Sequence, residues 1–422
     1  MRETLSNWAG NYSYQAANIY EPETVEQIQE LVRREGKVKA LGTRHSFNDI
    51  ADSPGTQIST KRFTKIVGLD AERRTVTVQA GVRYGELCQW LDQQGYALHN
   101  LASLPHISIA GACATGTHGS GVRLGNLATA VTQMEVVQAD GELIRFSQDD
   151  EDFYGAVVHL GGLGIVTKLT LSISPRFLMQ QDIYENLPLK QLENHFDELM
   201  SSTYSVSLFT DWSQDDINQV WLKRISPQGT PIKLESELFG ARLATKHLHP
   251  IASLSAENCT EQMGICGAWF ERLPHFKLNF TPSSGEELQS EYILPRQHSV
   301  SAIRALNEIR DLIAPLLQIS EIRTIASDIL WMSPSFEQDS VAIHFTWKKD
   351  WKNVRELLPT IEKRLAPFEA RPHWGKLFMT SPEELQSRYP KIKVFQRLLE
   401  QHDPQGKFRN IFLDKTIFDG TA

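Results

Sequence analysis

Lys37-Val38-Lys39-Ala40-Leu41 reads as a short strand, and Gly42-Thr43-Arg44-His45-Ser46 stops it at once with a glycine, two hydroxyls and an imidazole. A second small-residue segment lies further on, Ser108 to Gly121, reading SIAGACATGTHGSG. Neither has the GxGxxG spacing of a Rossmann turn or the GxxxxGK[ST] of a phosphate loop, which weighs against nicotinamide and nucleotide-hydrolase chemistry. Small residues let a ligand approach the backbone, and their N–H groups can converge on a pyrophosphate. Tight turns are the ordinary alternative for either segment, because glycine clusters punctuate chains generally.

Working outward, strands and helices interleave. Glu21 to Arg34 places Val25, Ile28, Leu31 and Val32 at helical spacing behind Pro22 and a Thr24/Gln27 capping pair. Thr75 to Val78 alternates at strand period, and Tyr84 to Asp92 sets Leu87 and Leu91 one helical turn apart. Val131 to Ala139 and Glu142 to Phe146 form a hairpin through Asp140-Gly141. Val166 to Ile173 alternates again and stops near Pro175, where a domain boundary is expected. Beyond it come strands at Val206 to Thr210, Gln219 to Lys223 and Val341 to Trp347, and helices near His298 to Leu312 and Asn353 to Leu365. The last stretch carries a strand at His373 to Met379, a helical segment near Leu385 to Gln401 and a turn at Asp403-Pro404-Gln405-Gly406.

A chain of 422 residues exceeds one ordinary core, so two domains are expected. With 43 Lys and Arg against 51 Asp and Glu, net charge −8 and no dense basic block, nucleic acid is an unsuited partner. Met1 to Gln15 contains no apolar signal core, and no stretch approaches the roughly 18 apolar residues of a membrane span. Cys88, Cys113, Cys259 and Cys266 show no CxxC spacing, so free thiols in a cytoplasmic protein are expected, with neither a zinc site nor a disulfide framework. His247-Leu248-His249 is an isolated pair without further ligands at a metal-binding spacing, and no metal is assigned.

The G-x-x-H-S segment after a strand, followed by the Ser108 loop, resembles the vanillyl-alcohol-oxidase-like flavoproteins, in which this histidine is often bonded covalently to the flavin. Within them the resemblance sharpens to the alditol oxidases, including xylitol oxidase, and spans nearly the whole chain. It is carried by Asn7-Trp8-Ala9-Gly10-Asn11, Ala102-Ser103-Leu104-Pro105-His106, Ser205-Val206-Ser207-Leu208-Phe209, Leu288-Gln289-Ser290-Glu291-Tyr292, Glu321-Ile322-Arg323-Thr324 and His373-Trp374-Gly375-Lys376. Gly161-Gly162-Leu163-Gly164-Ile165-Val166 resembles a third flavin contact, and Asp403 to Phe408 a closing turn that supports the flavin domain. One departure is visible: many relatives carry glycine before the flavin-linked histidine, and this chain carries Arg44.

The resemblance implies an α+β fold: a two-part FAD-binding domain of the vanillyl-alcohol-oxidase type from residues 1–175 and 373–422, with a mixed-sheet substrate cap at 176–372. It implies FAD, covalent through His45, with Gly42, Thr43, Arg44, Ser46, Ser103, Ser108, Gly111, Thr115, Gly116, His118, Ile165, Val166 and His373 as further cofactor contacts. Glu321 and Arg323 lie two apart and share one strand face, as do His344 and Thr346, with Ile322, Ile343 and Phe345 opposite. Half-exposed sheet would read the same way. By resemblance, that polar face binds a polyol through Ser103, Gln289, Glu321, Arg323, His344, Thr346 and Lys376, with Arg323 and Lys376 as the catalytic pair. The implied reaction is oxidation of an alditol's terminal carbinol to the aldose, with O2 reduced to hydrogen peroxide, by a monomer. The competing readings are a sugar 1,4-lactone oxidase or dehydrogenase sharing the histidine loop, and a non-catalytic flavin- or sugar-binding protein.

Overall fold

The computed structural model describes residues 5–229, 234–278 and 286–418. The Val25–Arg34 helix forms as its pattern predicts: the Thr24 hydroxyl accepts from the Gln27 N–H at 3.3 Å, and Ile28, Leu31 and Val32 are buried. Behind it, Asn18–Tyr20, Thr56–Ser59 and Val38–Leu41 make a three-stranded parallel sheet, so the His45 loop leaves the end of a buried strand. A five-stranded antiparallel sheet follows, built from Ile66–Asp70, Thr75–Gln79, Ile165–Ser172, Val131–Val137 and Leu143–Ser147. The expected hairpin through Asp140 and Gly141 is present, with Gly141 at φ 82°.

The largest sheet has ten strands among the described residues. Along its centre run Leu178–Pro188, Asp216–Ile225, Ser205–Thr210, Leu317–Ile325, Ser340–Lys348 and Glu287–Pro295, all antiparallel neighbours. Its two faces differ as a period of two requires. Val206, Leu208, Val220, Leu222, Ile322, Ile343 and Phe345 share a core with the helices Leu189–Ser201, Ser299–Asn307 and Trp351–Leu365. The opposite face carries Ser207, Phe209, Glu321, Arg323, His344 and Thr346.

Three expectations in the second half of the chain need correction. His298 to Leu312 is not one helix: Ser299–Asn307 and Arg310–Ile313 are separated by Ile309 at φ −112°, ψ 16°. Leu385 to Gln401 divides into Pro382–Ser387 and Ile392–His402, since Pro390 cannot supply a helical N–H and disfavours helix in the residue before it. His373 to Met379 is not a strand. Only Arg371–Pro372 pairs as one; the chain then turns, Lys376 N–H donating to the His373 carbonyl at 3.0 Å. Trp374 and Leu377 are buried by a folded-back loop rather than by pairing, which alternation alone cannot distinguish.

Candidate active site

Two walls enclose one cavity of about 330 Å³. The first is the His45 loop. Arg44 holds φ 64°, the left-handed region that glycine favours, so the substitution noted in the sequence keeps the backbone turn. The N-terminal segment secures it. Trp8 N–H donates to the Arg44 carbonyl (2.8 Å), Arg44 Nη1 to the Ser6 carbonyl (2.9 Å), Asn7 Nδ2 to the Ser46 carbonyl (2.9 Å) and Asn11 Nδ2 to the Phe47 carbonyl (2.8 Å). The Trp8 indole stacks on the His45 ring at 5.2 Å and 18°. Both ring nitrogens of His45 are buried with no hydrogen-bond partner among the described residues. Burial pushes the imidazole down to about 4, outweighing a smaller upward pull from the Thr43 backbone, so the ring is neutral at pH 7.

Small residues keep this wall close to whatever fills the cavity. A Cβ on Gly42 would sit 2.6 Å from Ser108 Oγ, and one on Gly111 3.0 Å from the same atom. The Ser108 segment is a loop only in part, since Ile109–Ala114 forms a short helix. Thr43, Arg44, Ser46, Ser103, Thr115, His118, Val166 and His373 also line the cavity. Gly116 does not: it turns at φ 64° against Pro334. Ile165 points into the apolar core beside Val137. A neutral unpartnered imidazole above a cradle of glycines, serines and threonines fits a flavin dinucleotide held largely by backbone.

The second wall is the polar face of the large sheet. Its register sets Phe209, Glu321, His344 and Glu291 in a row across four strands, with Thr346 opposite Gln289 in the next. Glu291 is the hub. It is 1 % exposed, and its carboxylate accepts from Arg323 Nη2 (2.5 Å) and Lys376 Nζ (2.7 Å), with His118 Nε2 3.4 Å away. On the intervening strand, the short side chain of Ala342 stands opposite Arg323. Burial would raise the Glu291 carboxyl, but Lys376, Arg323 and His118 together hold it well below the usual carboxylate range. Glu321 is likewise held low against burial by Arg323 and His275.

Lys376 also donates to His344 Nδ1 at 2.7 Å, and His344 Nε2 lies 3.1 Å from Thr346 Oγ1. Burial and then the Lys376 charge push His344 down to about 4. Along the cavity, two cations, Arg323 and Lys376, thus face two carboxylates, Glu291 and Glu321, with the neutral His344 between them.

Tertiary contacts join the two walls. Phe47 N–H donates to the Gly375 carbonyl (2.7 Å), and Asn48 Nδ2 to the carbonyls of Trp374 (2.8 Å) and Lys376 (2.9 Å). The same C-terminal loop hangs on the sheet edge through His373 N–H to the Glu291 carbonyl (2.9 Å) and Leu377 N–H to the Gln289 carbonyl (2.9 Å). All seven residues expected at the substrate side line the cavity. Sequence reasoning missed Glu291, although it lies two positions from Gln289 and so on the same strand face. It gave no site role to Trp8 and Phe209, which lie in the segments that carry the resemblance, to His249, or to His275, which no local pattern marks.

Residues 16–147 match the family described as FAD binding domain, and residues 282–416 the family described as D-arabinono-1,4-lactone oxidase. The chain is 47% identical over 424 residues, covering 100% of both chains, to an alditol oxidase of a Streptomyces species. It is 26% identical over 444 residues to an L-gulonolactone oxidase of Bos taurus, covering 98% of each. Its fold matches a cholesterol oxidase from B. sterolicum at TM-score 0.78 and 14% identity, over 98% of this chain and 96% of that one. It also matches a carbohydrate oxidase from Microdochium nivale at TM-score 0.74 and 14% identity, over 97% and 94% of the respective chains. No described helix is long and apolar enough to cross a membrane. Full-length identity at the first of these levels, together with the flavin-binding match at its N-terminal end, makes this chain a member of the alditol oxidase family of FAD-dependent oxidases.

Proposed function

We propose that the protein oxidises the terminal primary alcohol of an alditol such as xylitol or sorbitol to the aldose, using FAD and reducing O2 to hydrogen peroxide. The observation that carries this reading is the compensated cluster of Arg323, Lys376, Glu291 and Glu321 facing the neutral, unpartnered His45 across one cavity. FAD, when bound, supplies the acceptor for the hydride leaving the carbinol carbon and returns the electrons to oxygen.

The chain's own residues bind, orient and stabilise. Lys376 has three N–H donors, of which Glu291 and His344 take two, leaving one for the reacting oxygen. Arg323, anchored on Glu291 and 3.5 Å from Ser103 Oγ, adds a second fixed positive charge. Both favour negative charge developing on the carbinol oxygen in a site where water is scarce. Glu321 accepts from substrate hydroxyls, while Gln289 and Thr346 both give and accept, as a polyhydroxylated chain requires. In this reading residues 1–175 and 373–422 hold FAD and residues 176–372 cap the substrate. His45 would be the residue that holds the flavin covalently, a role that a buried neutral imidazole nitrogen suits. In this reading the protein is cytoplasmic, as its four free cysteines suit, and a monomer.

Steady-state peroxide production from xylitol or sorbitol, compared with a γ-lactone, tests the substrate class. Turnover of the lactone alone overturns it in favour of a lactone oxidase. Acid-precipitated wild-type protein retains yellow flavin, and His45→Ala releases it into the supernatant; release from the wild type would exclude the covalent bond.

A further inference from the structure

The sheet face under the cavity continues into a buried chain of titratable groups that the reaction above does not use. Ser205 pairs with Lys223, Ser207 with Trp221 and Phe209 with Gln219, so Lys223 and Trp221 share the face that carries Glu321 and Arg323. Lys223 is 1 % exposed and donates to the carbonyls of Leu273 and Pro274 and to His275 Nδ1, the last at 3.2 Å. On the other side of the imidazole, His275 Nε2 lies 2.7 Å from Glu321 Oε1. Phe209 and Trp221 meet the His275 ring edge-on at 5.3 and 5.2 Å, which fixes its plane.

One proton arrangement satisfies this chain. An ammonium only donates, so Nδ1 must accept; a carboxylate only accepts, so Nε2 must carry the hydrogen. Burial keeps the ring neutral, pushing it down to about 4. Glu321 Oε1 is thereby committed to His275. Its Oε2 has no hydrogen-bond partner among the described residues, and Glu321 lines the cavity.

We propose that Lys223 and His275 are positioning residues that lock one tautomer and so hold Glu321 with one oxygen committed and the other presented to a hydroxyl of the bound polyol. This rests on the alditol reading. Lysine dictates the tautomer, the tautomer dictates the carboxylate's orientation, and the orientation decides how well the non-reacting part of the substrate is gripped.

The test compares His275→Gln, whose amide N–H can replace Nε2–H, with His275→Leu and Lys223→Met. All are read as flavin-loaded enzyme at pH 6, below the value of about 7 to which burial pushes Lys223. Losing a charge-assisted hydrogen bond raises KM for the alditol about tenfold or more in His275→Leu with kcat little changed, and His275→Gln recovers most of it. Lys223→Met raises KM in the same direction, which keeps the idea testable should the leucine variant fail to load flavin. Selective 15N-histidine spectra, with His275→Gln as the assignment blank, read the tautomer without turnover: Nε2 protonated and Nδ1 bare in the wild type, a mixture in Lys223→Met. A glutamine variant as damaged as the leucine variant, a Lys223→Met indistinguishable from wild type in KM, or a protonated Nδ1 in the wild type each overturns the positioning role. A wild type that oxidises no alditol overturns the substrate reading first, and is recognised by that alone.

Discussion

The two walls of the cavity are built on opposite principles. The His45 wall is made largely of backbone and small side chains, and the His45 ring nitrogens have no hydrogen-bond partner among the described residues. The sheet wall is made of long charged side chains, each already bonded to another. The difference follows from burial. A large flat cofactor can be held by many backbone contacts without charge, whereas charges under a sheet face must arrive as a compensated set, because an uncompensated one is costly. Damage should therefore spread from any member of the charged wall and stay local on the other.

Glu291→Gln is the harshest way to break this contrast. It leaves Arg323 and Lys376 without their shared counter-charge, and removing one partner of a buried pair costs about 3–5 kcal/mol. A large fall in Tm is expected; an unchanged Tm would mean the set is not balanced as described. Lys376→Met comes next. It removes one donor to the developing alkoxide, and kcat/KM is expected to fall on the order of 10²–10³-fold with flavin retained.

Acid sharpens the comparison within the charged wall. His275 and His344 are held near 4 in the fold, below the unfolded value of about 6.5. Depressed values mean that the unfolded chain binds protons first, so their stability contribution is complete above pH ~6.5 and is lost as pH falls toward 4. Each is worth on the order of 3 kcal/mol at most. Tm should drop between pH 6.5 and 4, and drop less steeply in His275→Gln.

Arg44→Gly is the mildest test, on the His45 wall. Glycine relieves about 1 kcal/mol of left-handed strain but gives up the Arg44 hydrogen bond to Ser6, worth a similar amount, so Tm stays nearly unchanged. A loss of several degrees would show that arginine does more here than hold a turn.

The chemistry-bearing segments of both walls could be read before any coordinates. The strand-to-loop break at Gly42, the glycine-rich Ser108 segment and the same-face pairs Glu321/Arg323 and His344/Thr346 are local patterns, set by conformational freedom and by the strand period. Reading failed where the deciding contact was distant. His373 to Met379 looks like a strand in isolation, and only its suspension between the His45 loop and the edge at Glu291 makes it a turn.

Sequence alone determined the elements whose pattern is local, the polar strand face and the family to which these residues belong, because period, punctuation and motif are properties of neighbours along a chain. Tertiary structure decided that Glu291 sits at the centre of the charges, that Trp8 covers His45, and that Lys223 reaches Glu321 through His275. Those relations join residues far apart in the chain through strand register and burial, which no stretch of local sequence contains.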